Sequence, residues 1–301
     1  MGKTVCAYLQ GGLGNQCFIY ATARALSIRA QAELRLNVDY FESDHVYRRH
    51  FELDRYRIAG ICEPLHSPLW RIAQKARYHA MKRMGVRNLG NYRCDFWPFV
   101  QEPFPTDWKG CLTLDGYWQS EFHYKDQADA IFDDFCLKDD SFLRGDPMLA
   151  RIQSSRVPVF VHMRSYKEVP ENDGSMAIPN PFYGEALTYL RARLGKKMTV
   201  FLFSDDLAWA TARMQQWRRL MGIEVVPVEP FVGPSEWAGI RDFELLRLCH
   251  HGVVANSSFS RFAAWLGERQ NLKAGRHPIY VHNCREKSGC CPERWHFVEV
   301  A

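Results

Sequence analysis

Short runs of β-branched and apolar residues alternate along this chain with segments of helical spacing, most clearly in its second half. VPVFVHM (157–163) is almost wholly apolar, the pattern of a strand buried on both faces. PFYGEALTYLRARLG has apolar positions three and four apart and stops at Gly195, which predicts a helix. MTVFLF then predicts a strand, LAWATARMQQWRRL a helix and IEVVPV a strand. SEWAGIRDFELLRLCHH predicts a helix with Ser235 as its N-cap. GVVAN reads as a short strand, FSRFAAWLGER as a helix and PIYVHN as a last strand. The first half opens the same way. VCAYL is a strand, 16–32 a helix, and ELRLNVD a second strand that ends at Asp39. Strands alternating with helices imply parallel sheets with right-handed crossovers, hence an α/β fold. Two such units fit 301 residues, 1–150 and 151–301, with the boundary near SFLRGDP (141–147) or QSSRVP (153–158).

Open parallel sheets bind ligands beyond the carboxyl ends of their strands, so the residues just past each strand carry the functional signal. In the second half these are His162 and Arg164, then Ser204, Asp205 and Asp206, then Asn256, Ser257, Ser258 and Ser260. Arginine makes bidentate contacts to phosphate, and hydroxyls with backbone N–H groups at a helix start hold further phosphate oxygens. Asp205 or Asp206 could accept from a ribose or a base edge. Together they read as a nucleotide-diphosphate site that needs no metal if Arg164 neutralises the charge. Each residue also has a plainer role open to it. Ser257 or Ser258 could cap the following helix, Asp205 could cap the helix after its own strand, and His162 could be a core histidine.

GGLGNQ (11–16) raises a separate question, because it puts three glycines and two amides between a strand and a helix. One reading is a dinucleotide loop, with Gly12-x-Gly14 after the strand and Asp39 as the ribose-binding acid of an NAD-dependent oxidoreductase. Against it, Cys17 holds the third glycine position, and Asn15 and Gln16 are bulky where close approach is needed.

The second reading rests on resemblance. GGLGNQCFIYATARAL resembles the opening motif of the α-1,2-fucosyltransferase family, glycosyltransferase family 11. GYWQSEFHY (116–124), FSDD (203–206) and ELLRLCHHGVVANSSFSRFAAWLG (244–267) are similar to three further blocks of that family, in the same order. The resemblance implies a GT-B-like fold: two Rossmann-like domains with parallel sheets facing across a cleft, the first on the acceptor side and the second binding the nucleotide sugar. It implies GDP-fucose as donor, no cofactor or metal, inversion at the anomeric carbon and an α-1,2 linkage to a galactoside-type glycan. By the family pattern Arg164 holds the diphosphate with His162 beside it, and Asp205 faces the nucleoside. Asn256, Ser257, Ser258 and Ser260 line the phosphates, while Gly11, Gly12, Gly14 and Asn15 border the cleft. Asp39, Gln119 and Glu121 fall on the acceptor side. The general base is open among Glu168, Asp173, Glu121 and Asp39, with Glu168 first because it follows Arg164 on the same loop. The chain departs from the family's H-x-R-R-G-D-Y block at Ser165 and Lys167, and Arg261–Phe262 stand where an aromatic pair follows NSSFS. A non-catalytic glycan-binding relative is the remaining alternative.

Composition adjusts this picture at three points. Lys plus Arg is 39 against 34 acids, a formal charge of +5 that suits an anionic small substrate and does not indicate nucleic acid. Residues 64–94 contain no acid but seven Lys or Arg, with Trp70, Tyr78 and Tyr92 interleaved. The segment 71–93 could rest on the inner membrane face, where a cytoplasmic enzyme would meet lipid-linked oligosaccharide acceptors of surface polysaccharide; the alternative is a solvated helix face. MGKTVCAYLQGG does not read as a secretory signal, so the ten cysteines are expected as free thiols in the cytosol. HNCREKSGCC offers His282, Cys284, Cys290 and Cys291 to zinc, but the adjacent pair is awkward for a tetrahedron and no metal is expected.

Overall fold

The computed structural model describes residues 2–44, 47–63, 68–95, 101–169, 174–195, 197–284 and 289–299. Asp173, one of the candidate bases, lies outside the described residues. Two compact units divide at Lys138–Asp139, with residues 289–292 grouped with the first and 293–299 with the second.

The first unit runs β1 (Thr4–Tyr8), α1 (Leu13–Ala30), β2 (Glu33–Asn37), α2 (Asp39–Ser43), β3 (Ile61–Glu63), α3 (Pro68–Met84), β4 (Asn88–Leu89), β5 (Tyr92–Asp95), β6 (Cys111–Gly116) and α4 (Ala128–Asp134). Its sheet order is β3-β2-β1-β6-β5-β4, parallel except for β4 against β5. α1 is buried nearly all round, from Leu13 and Cys17 through Phe18, Ile19 and Tyr20 to Leu26, which makes it the unit's central helix.

The second unit runs α5 (Pro147–Ser154), β7 (Val157–Met163), α6 (Asn180–Leu194), β8 (Met198–Ser204), α7 (Leu207–Met221), β9 (Glu224–Pro227), α8 (Ala238–Leu248), β10 (His251–Val254), α9 (Ser258–Lys273), β11 (Tyr280–His282) and β12 (His296–Phe297). All of its pairings are parallel, in the order β12-β11-β10-β7-β8-β9. The chain therefore leaves β7 in one direction to β8 and β9, then returns to β7's other side with β10. The resulting switch point, between the carboxyl ends of β7 and β10, is the ligand crevice of a doubly wound sheet. A core of Val159, Val161, Val200, Leu202 and Val253 packs under Phe182, Leu187 and Leu190 of α6. β10 approaches so closely that a Cβ on Gly252 would lie 2.1 Å from the Phe160 ring.

Two sequence expectations change. α1 begins at Leu13, not at residue 16, so Gly14 and Asn15 sit inside its first turn. The cysteines are not all thiols: eight are free, and Cys284 and Cys290 are disulfide-bonded. Two of the four candidate zinc ligands are thus withdrawn in this redox state. Among the described residues, no helix is long and apolar enough to cross a membrane.

Candidate active site

β7 carries buried His162 and the half-buried Arg164 to the switch point of the second unit. The His162 ring packs 5.9 Å from that of Phe259, in the first turn of α9. Burial, with help from Arg164 and against Asp205, lowers its pKa to about 3. His162 is therefore neutral at physiological pH and contributes shape, not charge.

Arg164 pairs with Glu168, and its Nη1 lies 3.6 Å from Asp205 Oδ2. The guanidinium sits 5.3 Å from the Tyr166 ring centroid. Asp205, at the end of β8, accepts from the Ser165 N–H at 2.8 Å, the Ser165 hydroxyl at 3.0 Å and the Tyr166 N–H at 3.0 Å. Burial pushes this carboxyl up, but the Ser165 N–H and the Arg164 charge outweigh it and hold it below the ordinary aspartate value. In this structure Asp205 braces the loop after β7. The helix-capping role falls to its neighbour Asp206, which accepts from Trp209 N–H at 3.0 Å.

Tyr166 has a left-handed backbone, φ 59°. Its hydroxyl donates to the Asn256 carbonyl at 2.7 Å, and Asn256 Nδ2 donates to Met176 O at 3.0 Å. Asn256 thereby ties the loop after β7 to the strand end of β10. Ser257 occupies the N-cap of α9 in extended conformation without a side-chain cap bond, and Ser258 begins the helix. The first N–H groups of α9 have no intrahelical acceptor, and together with the helix dipole they favour an anion there. Ser260 is buried, its hydroxyl 3.5 Å from Ser257 O. Arg261 is buried in the same turn. Burial raises the Tyr166 phenol, while both Arg164 and Arg261 pull it down, so the ring lies in the field of two guanidinium groups. The edge as built offers two cations, a helix N-terminus and two hydroxyls, which is chemistry for a diphosphate.

The first unit answers the question set by GGLGNQ. Gly11 takes a left-handed φ of +75°, and a Cβ there would lie 2.6 Å from Asn15 Nδ2. Gln16 is fully buried: its Nε2 donates to Gly11 O at 3.0 Å and His50 O at 2.8 Å, and its Oε1 accepts from Glu52 N–H at 2.9 Å. Asn15 Oδ1 accepts from Gln119 Nε2 at 2.6 Å. Both amides therefore stitch neighbouring segments to the loop. The Leu13 N–H, at the start of α1, donates to the Glu52 carboxyl, which burial raises to about 7 against the opposing effect of Arg49. A Cβ at Gly12 would lie 3.6 Å from Arg49 Nη1. The chain's own carboxylate and its partner arginine thus fill the place where a dinucleotide loop would receive a phosphate. Asp39 is fully buried, its N–H donating to Asn37 Oδ1 at 2.8 Å and its Oδ2 accepting from Asn37 Nδ2 at 3.1 Å. Glu121 is partly exposed and opens a short 3₁₀ turn after Ser120.

A protein-family model described as Glycosyl transferase family 11 matches residues 104–295 of the 301. The chain belongs to glycosyl transferase family 11. This family 11 chain is a glycosyltransferase, and it is similar along its length to curated transferases. It is 25% identical to an alpha-1,2-colitosyltransferase of Escherichia coli, over 98% of this chain and 99% of that one. It is 27% identical to a galactoside 2-alpha-L-fucosyltransferase of Bos taurus, over 91% of this chain and 65% of that one. Its fold is that of NodZ, an alpha-1,6-fucosyltransferase from Bradyrhizobium whose crystals were soaked with GDP-fucose. That match has a TM-score of 0.55 at 17% identity, and covers 88% of this chain and 93% of that one. The two parallel-sheet units of the family 11 chain are accordingly of the GT-B class. The oxidoreductase reading of GGLGNQ gives way to this family and to the Glu52 carboxyl at the head of α1.

Sequence reasoning reached Arg164, His162, Asp205 and the NSSFS serines because each directly follows a recognisable strand. It did not assign roles to Ser165 and Arg261, which entered only as departures from the family pattern, and it gave Tyr166 no role at all. Glu52 and Arg49 gave no signal, since they come from a loop whose path to α1 is set by tertiary structure alone.

Proposed function

We propose that this glycosyltransferase moves L-fucose from GDP-fucose to a hydroxyl of a galactoside-type glycan, in α-1,2 linkage and with inversion. The observation that carries the reading is the convergence of Arg164, Arg261 and the open N-terminus of α9 at the switch point of the second unit. In an inverting transfer the acceptor oxygen attacks the anomeric carbon while the bond to the diphosphate breaks, so negative charge grows on the leaving GDP. Arg164, the α9 N–H groups and the hydroxyls of Ser257 and Ser258 would meet that charge, which removes the need for a metal. Preorganised contacts of this kind are each worth about 3–4 kcal/mol at the transition state. The neutral His162 walls the pocket. The reading places the enzyme in the cytosol, where GDP-sugars are donors for surface polysaccharide, with an acceptor carried on a membrane lipid.

The E. coli relative's name favours a second donor, a colitosyl group, on the same site. The test is isothermal titration with GDP in the absence of metal, then transfer assays with GDP-fucose and a colitosyl donor in parallel. GDP binding that weakens about 100-fold in Arg164→Ala supports the diphosphate assignment, since charge-assisted hydrogen bonds are worth roughly 1.5–3 kcal/mol each. Binding that survives the substitution removes Arg164 from the site. Normal GDP binding without turnover on either donor would favour the non-catalytic alternative.

A further inference from the structure

α3 buries one face and exposes another that is unlike an ordinary solvated surface. Gln74, Tyr78 and Met81 turn inward: Met81 packs with Tyr92 and Cys94, and Gln74 Nε2 donates to Asp115 Oδ2 at 3.2 Å. On the opposite side Ile72, Ala76, Ala80 and Met84 recur every fourth residue and form one exposed stripe. Ile72 and Met84 are each 66% exposed. Val86 and Leu89, which follow the helix, are exposed as well. Four of the eleven large apolar side chains exposed among the described residues therefore fall within 72–89, which makes a patch and not a scatter.

Lys75, His79, Lys82 and Arg83 are exposed and border the stripe, and no acid occurs from residue 64 to 94. Arg77 is engaged elsewhere, 5.1 Å from the Tyr92 ring centroid, and is left out of this face. Solvated helix faces carry both signs of charge. Self-association through this face is disfavoured by its own charge, because a two-fold interface would set Lys75, Lys82 and Arg83 against their own copies. A basic flank along an apolar stripe matches a surface with phosphate at one depth and hydrocarbon just below it.

We propose that the outer face of α3 docks this enzyme on an anionic lipid bilayer. Ile72 and Met84 enter the boundary between headgroups and acyl chains, and Lys75, Lys82 and Arg83 meet lipid phosphates. The contact is peripheral and independent of nucleotide. Each Lys or Arg near an anionic leaflet is worth about fivefold in partition, so the three together give on the order of a hundredfold at low salt. The attraction falls as salt shortens the Debye length.

The experiment is flotation of the full chain with vesicles of phosphatidylglycerol and phosphatidylcholine, against vesicles of phosphatidylcholine alone. The expected result is flotation with the anionic vesicles at low salt, falling on the order of a hundredfold in partition for Lys75→Gln/Lys82→Gln/Arg83→Gln. Ile72→Ser/Met84→Ser should also weaken it. All five positions are exposed, so thermal melting should show both variants folded. A wild-type chain that stays in the bottom fraction, or binding that the triple variant leaves unchanged, overturns the proposal. So does concentration-dependent dimerisation abolished by Ile72→Ser/Met84→Ser without vesicle binding. GDP titration of the same samples keeps the two readings apart, because lost flotation with intact GDP binding rejects only the membrane face.

Discussion

Glu168→Gln separates two roles for the carboxylate that follows Arg164. As a general base, Glu168 would take the acceptor proton, and its loss would lower kcat about 100- to 10,000-fold with GDP binding unchanged. The structure instead pairs it with Arg164, in a contact whose side chains are 23% and 34% exposed. In that arrangement Glu168 would compete for the guanidinium with the diphosphate of the proposed donor. A pair this open to solvent is worth roughly 0.2–1 kcal/mol, so neutralising Glu168 should tighten GDP about 1.5- to 5-fold. Asp205 stays in place at 3.6 Å from Arg164 and keeps the arginine oriented in the variant. The gain should shrink at high salt, as exposed charges are screened. Isothermal titration of GDP at two ionic strengths, with kcat measured under saturating donor and acceptor, reads both roles at once. Unchanged or weaker GDP binding would refute the competition argument. A hundredfold loss of kcat at constant affinity would establish the base.

Three further outcomes follow from the same geometry. Glu52 has its pKa raised from 4.5 to about 7, so its charged form costs stability, and wild type loses that increment as pH rises from the unfolded to the folded value. Glu52→Gln should therefore gain on wild type between pH 5 and pH 8 by at most about 3 kcal/mol in urea unfolding, and a gap that does not widen refutes the assignment. Asp205→Asn breaks the bracing of Ser165 and Tyr166 and should cost about 1–3 kcal/mol along with GDP affinity, whereas unaltered GDP titration would show that the loop holds without it. Because the Asp205 carboxyl is held below its ordinary value, its stabilising share is present above the unfolded pKa and is lost as pH falls through the lower folded one. Gly252→Ala drives a Cβ into Phe160 and should destabilise by about 1–3 kcal/mol, with partial rescue by Phe160→Leu in thermal melts.

The second unit was legible because its strands are buried on both faces. VPVFVHM and MTVFLF read as continuous apolar runs, and the parallel order places their last residues at one edge. Arg164 and the NSSFS serines therefore came out of position alone. The first unit was less so. β5 and β6 give short, weak patterns, and α3 hides behind its own outward stripe, since apolar residues on two faces blur a period that normally marks one. Asp39 shows the limit of position as a guide. It follows β2 as a ligand-binding acid would, yet the structure folds it onto Asn37 and buries it completely.

The glycine-and-amide segment GGLGNQ and the serine-rich segment NSSFS occupy the same place in their sheets and reach opposite ends. Both follow a parallel strand and open a helix that presents unsatisfied N–H groups. At α1 a carboxylate from the same unit takes that position, the flanking amides are consumed by Gly11, His50, Glu52 and Gln119, and the helix start becomes a joint. At α9 the N-cap serine makes no cap bond, and the cations beside it come from a strand end and from the helix itself. The Asp205 carboxylate is turned onto the Ser165 and Tyr166 N–H groups instead. What separates the structural joint at α1 from the helix start proposed as a ligand site at α9 is thus whether the chain supplies its own carboxyl group. Glu168 lies between these cases, an anion the chain supplies to Arg164 but leaves open enough to solvent for a diphosphate to displace.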